Sequence, residues 1–82
     1  MKLRERMGLA DIEDMRKYYE KLKKRKVEIE KEFEELIKRR KRGEISEEEY
    51  EERKRKLERE YVEIMDRIVQ MRYLIGEERL FG

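Results

Sequence analysis

The stretch Gly43-Glu44-Ile45-Ser46-Glu47-Glu48-Glu49-Tyr50 lies at the centre of the chain and carries the signals that end one helix and begin another. Its first residue, Gly43, follows the basic run from Lys38 to Arg42. Basic residues favour a helix C-terminus because they offset the negative end of the helix dipole, and a following glycine can adopt the left-handed cap conformation. Gly43 therefore predicts the end of the first helix.

The second half of the same stretch predicts the start of another helix. Ser46 is of the residue type that caps helix N-termini, and Glu49, three residues later, completes the capping-box pattern. Ile45 and Tyr50 flank the cap at the spacing of a hydrophobic staple. Gly43, Ile45, Ser46, Glu49 and Tyr50 are thus the predicted turn and cap residues of a tight connection between two long helices.

Further signals set the limits of these helices. Asp11 is a candidate N-cap with Asp14 in the capping-box position, and Gly76 ends the second apolar repeat. We therefore predict a flexible N-terminal arm (1–10), a helix (11–42), a turn (43–46), a second helix (47–75) and a C-terminal tail (77–82). In the tail, Leu80 and Phe81 either fold back onto the open end of the hairpin or form a docking peptide for another protein.

Both helices carry apolar residues at alternating spacings of three and four, the pattern of a coiled-coil seam. In the first helix the seam residues are Ile12, Met15, Tyr19, Leu22, Ile29, Phe33 and Leu36. In the second helix they are Tyr50, Leu57, Tyr61, Ile64, Ile68, Met71 and Ile75. Lys26 and Lys54 interrupt the seams, and folding at the turn places Lys26 beside Tyr61 and Lys54 beside Phe33, where each lysine can cover an aromatic ring. The pattern predicts an all-α fold, an antiparallel two-helix coiled-coil hairpin over residues 11–76.

The two flanks of this seam differ in charge. One flank has complementary predicted pairs, Arg25 with Glu60 and Glu32 with Arg53. The other has pairs of like charge, Glu30 with Glu58 and Arg16 with Arg72. The repulsive flank also carries a second stripe of apolar residues outside the seam: Val27, Ile37, Val62, Met65 and Val69. Exposed stripes of this kind usually mark an interface, so the second stripe predicts a homodimer in the form of a four-helix bundle, although isolated surface valines also occur without a function.

An alternative chain arrangement fits the same heptads. The heptad phase runs through the turn without slipping, so one continuous helix would also carry an unbroken seam. Two such helices paired antiparallel would repeat every contact of the hairpin, which is the condition for domain swapping. Gly43 and the capping residues favour the hairpin over the swapped long-helix dimer.

The composition is rich in charged residues, but its charge balance identifies no partner. Charged residues make up 56% of the 82 residues, yet the net charge is only +2, unlike that of a strongly basic nucleic-acid binder. Thermolabile residues are scarce and Glu, Lys and Arg dominate, which indicates a thermophilic protein or a sequence simplified for helix formation. No apolar run approaches ~18 residues, so we expect a cytoplasmic protein that makes no membrane contact.

From Leu36 to Leu57 the chain resembles the SHOCT family of short C-terminal helical-hairpin domains. The shared pattern is a basic helix end, then Gly43-Glu44-Ile45-Ser46-Glu47-Glu48-Glu49-Tyr50, then Arg53, Lys54 and Leu57. The second helix continues past Leu57, further than the family's usual short hairpin. The resemblance implies an interaction or oligomerisation module and carries no catalytic residues.

The sequence offers no catalytic, cofactor or metal site. His and Cys are absent, and the capping position explains the single serine, Ser46. No glycine-rich phosphate loop or Glu-x-x-His metal spacing occurs. The acidic run Glu47 to Glu52 fits a helix N-terminus better than a cation site. We therefore expect a protein that is not an enzyme and needs no cofactor.

One basic feature supports an alternative function. Lys17, Lys24, Lys31 and Lys38 recur every seven residues on the outer face of the first helix and form a candidate nucleic-acid face. Intervening glutamates weaken its field, and such lysines are often merely solvated. The sequence thus predicts an oligomerising scaffold or adaptor for protein partners, with a small nucleic-acid-associated protein as the alternative.

Overall fold

The structure is a computed structural model that describes residues 9–76, and within that range it contains two helices and no strand. Helix α1 spans Leu9–Lys41 and helix α2 spans Glu47–Ile75. The described part of the chain is all-helical, as predicted. The predicted tail and all but the last two residues of the predicted arm lie outside the described residues.

Helix α1 begins at Leu9 rather than after the predicted cap, Asp11. Leu and Ala are strong helix formers, so Leu9 and Ala10 extend the helix by two residues. Asp11 therefore lies within α1 instead of preceding it. At its other end α1 stops at Lys41, one residue before the predicted Arg42, whereas α2 has the predicted bounds.

The turn after α1 has the backbone conformation that its glycine predicts. Gly43 has a φ of 73°, in the left-handed region that side chains with a Cβ rarely adopt. Its N–H donates to the Arg40 carbonyl at 3.0 Å, and the Glu44 N–H donates to the Arg39 carbonyl at 2.9 Å. These two bonds form a Schellman motif and satisfy carbonyls at the end of α1. The Arg39 and Glu44 side chains also form an ion pair, Nε to Oε1, at 3.6 Å.

The start of α2 confirms one half of the predicted capping box. Ser46 is the N-cap residue, and its Oγ accepts a hydrogen bond from the Glu49 N–H at 3.0 Å. The Glu49 carboxylate does not complete the box as predicted, because its Oε2 accepts from Arg53 Nη2 at 2.6 Å. Ile45 is half-buried and Tyr50 is buried, the exposures expected of a staple. Arg40 from α1 lies over the Tyr50 ring at 4.5 Å and pairs with Glu47 at 2.7 Å.

The two helices pack against each other in antiparallel directions. Tyr18 contacts Arg67 near the open end, and Arg25 contacts Glu60 further along. Partner numbers in α2 therefore fall as those in α1 rise, in the predicted register. The buried residues all belong to the predicted seam: Tyr19, Leu22, Ile29, Leu36, Tyr50, Ile68 and Met71.

The polar layers of the seam differ in detail from the prediction. Lys26 is half-buried, as its stem packing requires, but its ammonium pairs with Glu30 at 3.1 Å. The Tyr61 hydroxyl donates to the same Glu30 carboxylate at 3.1 Å, so a carboxylate bridges the predicted Lys26–Tyr61 layer. A cation–π contact occurs instead one turn away, where Lys23 lies over the Tyr19 ring at 4.6 Å.

Candidate interaction surfaces

One flank of the hairpin is closed by a cluster of charged side chains around Arg25. Arg25 donates to Glu60 through Nε and Nη2 at 2.8 and 2.9 Å, which confirms the predicted pair. Its Nη1 donates to Glu32 at 2.8 Å and to Glu28 at 3.3 Å. The predicted pairing of Glu32 with Arg53 is replaced, since Arg53 binds Glu49 within its own helix. Local partners thus compete successfully with the cross-helix partner.

The hydrogen bonds on the two flanks shift the pKa values of the charged groups that form them. The hydrogen bond from Arg25 holds the pKa of Glu60 below its ordinary value, and the same bond raises the pKa of Arg25. On the opposite flank, hydrogen bonds from Lys26 and then Tyr61 lower the pKa of Glu30. Glu30 therefore stays ionised, and the positive charge of Lys26 beside it offsets the repulsion predicted between Glu30 and Glu58.

The second stripe is exposed at four of its five predicted positions. The exposed fractions are 46% for Val27, 41% for Ile37, 66% for Val62 and 51% for Val69. Val62 and Val69 lie one heptad apart on α2, and Val27 lies on α1. Exposed apolar side chains grouped in this way are typical of an interaction surface.

Met65, the fifth predicted interface residue, is half-buried instead of projecting outward. It packs against the buried cluster formed by Tyr19, Leu22, Ile68 and Met71. The reason is its flexible unbranched side chain, which can turn toward the seam where a valine cannot. Met65 therefore lies between Val62 and Val69 along α2 but contributes to the hairpin core.

Two exposed apolar residues near the end of α2 were not among the predicted interface residues. Tyr73 is 71% exposed and Leu74 is 60% exposed. Together with Val69 and Gln70 they line a shallow apolar depression on the outer surface of α2. The sequence signal was present, because both residues are large, apolar and outside the heptad seam. They extend the apolar surface of α2 beyond Val69.

The four lysines of the candidate nucleic-acid face are all exposed on α1. They lie ~10 Å apart along the helix, since each heptad advances by seven residues. Among residues 9–76, no ion pair involves Lys17, Lys24, Lys31 or Lys38. Their ammonium groups are therefore available to solvent or to phosphates.

A groove between the helices lies near the turn. Leu36 and Leu57 provide its apolar part, and charged side chains of both signs surround it: Glu32, Glu35, Arg39, Arg53 and Lys56. Because the rim carries both signs, the groove selects no particular charge on a ligand.

Sites for metal chemistry do not occur in the described part of the chain. No group of three His, Cys, Asp or Glu residues within it has the arrangement needed to hold a metal ion. The acidic residues Glu47, Glu48, Glu51 and Glu52 lie at the start of α2 beside Arg55. This placement complements the positive end of the helix dipole.

Neither described helix is long and apolar enough to cross a membrane.

No protein-family model matches this chain, and neither a curated protein nor a solved structure matches it.

Proposed function

We propose that this protein is a non-catalytic interaction module, a helical hairpin that forms homodimers and serves as a scaffold or adaptor for protein partners in the cytoplasm. The exposure of Val62 and Val69 on a single face of α2 carries this proposal. A two-helix chain buries only one seam, so association provides apolar burial that a single hairpin lacks. The SHOCT-like turn is in keeping with an oligomerisation module.

The expected dimer is a four-helix bundle that covers the second stripe. Removing a valine side chain from water contributes ~1.5 kcal/mol or more, and the two-fold symmetry of a homodimer doubles each contribution. The opposite flank is a poorer candidate, because the side chains around Arg25 already satisfy one another there.

Light scattering after size exclusion tests the dimer. V62E/V69E should yield monomers with a lower melting temperature, since four carboxylates would enter the interface. The matched control is K24E/K31E, which changes two exposed residues one heptad apart on the other helix and should leave the mass unchanged. A monomeric wild-type protein at high micromolar concentration would overturn the proposal. So would a V62E/V69E variant that remains dimeric.

The second candidate function is association with nucleic acid through the lysine face of α1. The observation that favours it is the lack of ion pairs at Lys17, Lys24, Lys31 and Lys38 within the described residues. A gel shift on generic duplex DNA and RNA at ~50 mM salt tests it, because phosphate contacts are strongest at low salt. K24E/K31E should abolish binding and V62E/V69E should retain it. No shift of the wild-type protein would rule this function out.

A further inference from the structure

Helix α2 carries a second run of residues at alternating spacings of four and three, on the flank opposite Arg25. We call it the outer seam, and its residues are Glu58, Val62, Met65, Val69 and Arg72. The three central residues are apolar, and the two ends carry opposite charges. In both chain directions the outer seam has a charged residue at one end, three apolar residues in the middle and a residue of the opposite charge at the other end. The outer seam is therefore complementary to a reversed copy of itself.

Much of the outer seam is exposed and accessible to a partner helix. Val62 and Val69 are exposed by 66% and 51%, and Glu58 is also exposed. Met65 and Arg72 are half-buried, and Met65 packs on the hairpin core, which anchors the centre of the seam. Among the described residues no ion pair involves Glu58.

Charge decides between the two directions in which a second α2 could lie on this seam. In a parallel pair, Glu58 would face Glu58 of the partner subunit, and Arg72 would face Arg72 of the partner subunit. In an antiparallel pair, Glu58 faces Arg72 of the partner subunit and Val62 faces Val69 of the partner subunit. Like charges disfavour the first arrangement and opposite charges favour the second.

We infer that the outer seam is a self-recognition surface, on which a second copy of this chain docks with its α2 antiparallel about a two-fold axis that passes beside Met65. This inference rests on the proposed homodimer and adds its orientation and register. In this antiparallel pair each residue of the outer seam faces a residue at the same heptad position of the partner helix. The same rule pairs α1 with α2 within the hairpin. The two-fold axis places both α1 helices on the same side of the α2 pair, which produces a four-helix bundle.

Charge reversal tests the antiparallel register, and the compensating double variant serves as the control. E58R and R72E should each weaken the dimer about tenfold at low salt, because each occurs twice in the symmetric interface and replaces an attraction by a repulsion. The double variant E58R/R72E restores the opposite charges and should recover most of the affinity. Sedimentation equilibrium at ~50 mM salt measures the dissociation constants, since salt screens such pairs.

Charge reversal also distinguishes a loss of dimer affinity from a loss of stability of the single hairpin. Within one hairpin the predicted register places Glu58 near Glu30, so E58R replaces a like-charge pair by an opposite one. E58R should therefore leave the hairpin at least as stable while it weakens the dimer. Equal dissociation constants for the wild-type protein and both single variants would overturn the inference. A double variant no tighter than the singles would do the same.

Cysteine cross-linking tests the register independently, because the sequence contains no native cysteine. In the antiparallel dimer, V62C on one subunit lies beside V69C on the other, whereas two copies of V62C are ~10 Å apart along the axis. A disulfide requires Cα atoms within ~7 Å. An equimolar mixture of V62C and V69C should therefore cross-link under oxidation, and each variant alone should not.

The outcomes distinguish this inference from the proposed function. A wild-type chain that stays monomeric at high micromolar concentration overturns both. A wild-type dimer in which V62C cross-links to itself, with no gain on mixing with V69C, overturns only the antiparallel register and leaves homodimerisation standing.

Discussion

Arg25 of α1 and Glu60 of α2 are joined by two parallel hydrogen bonds, Nε to Oε2 at 2.8 Å and Nη2 to Oε1 at 2.9 Å. This fork geometry is specific to arginine, because a lysine ammonium cannot present two donors in one plane to a carboxylate. The pair ties the two helices together midway along the hairpin. It also fixes the orientation of the guanidinium so that Nη1 can reach Glu32.

Replacing Arg25 should destabilise the hairpin measurably but modestly. Both side chains remain partly exposed, by 33% and 41%, so we expect about 1 kcal/mol for R25A, near the upper limit for surface ion pairs. R25K should recover less than half of the loss, since it keeps the charge but not the fork. Urea unfolding of R25A, E60A and the double variant gives the coupling energy, with K24A as the control. A coupling energy of zero would show that the pair is only a solvated contact.

Acid should weaken the hairpin through the same pair. The pKa of Glu60 is lower in the folded protein because the Arg25 guanidinium binds its carboxylate. A depressed carboxyl pKa contributes stability above the unfolded value, ~4.3, and this contribution is lost as the pH falls through the folded value. E60Q should therefore lose less stability than the wild-type protein between pH ~5 and ~3. R25Q removes the cause of the pKa shift, so it should also lose less stability than the wild-type protein over this pH range. Thermal melts at each pH measure this, and melting temperatures that fall as steeply in both variants as in the wild-type protein would contradict the prediction.

Truncating a side chain at the centre of the seam should lower the free energy of unfolding far more than truncating one outside the seam. Ile29 is the one fully enclosed side chain of the described residues, with 0% exposure, whereas Ile37, one residue beyond the next heptad position, is 41% exposed. I29A should cost ~3 kcal/mol, because the cavity lies between two helices that cannot collapse without loss of other contacts. I37A is the matched control and should cost well under 1 kcal/mol in the monomer. Chemical denaturation at low protein concentration compares them, and equal losses would show that the heptad register is wrong.

Gly43 should decide between the hairpin and the long swapped dimer. Its φ of 73° makes alanine unfavourable by ~1 kcal/mol, and alanine is favoured over glycine in a continuous helix by a similar amount. Apart from Gly43 and its chain neighbours, no atom of the described residues lies within 4 Å of the added Cβ, so the effect of G43A is on the backbone alone. The balance should therefore shift by ~2 kcal/mol per chain toward the swapped form.

Small-angle scattering measures the outcome of G43A. The hairpin is 55 Å long, whereas a continuous helix through the turn would reach ~100 Å. G76A is the matched control, because Gly76 has a φ of 83° but lies at the end of α2, where its replacement cannot join the two helices. A G43A variant that retains the wild-type maximum dimension would show that the two forms are not close in free energy.

Local signals in the sequence were sufficient for the architecture of the described residues. The glycine at 43, the serine cap at 46 and the three-four spacing predicted the turn, the bounds of α2 and the buried seam. Arg25 and Glu60 were also paired correctly, since backbone register alone brings them together. These features depend on helical periodicity and cap geometry, which are short-range properties of the chain.

The tertiary structure alone decided how individual side chains are used. The sequence placed Glu32 opposite Arg53 and Lys26 beside Tyr61, but long flexible side chains have several partners within reach and take the one with the best geometry. Thus Glu32 binds Arg25, and Lys26 binds Glu30. Likewise Met65 turns inward while Tyr73 remains exposed, because burial depends on the space between two helices and not on the position of a residue in one heptad.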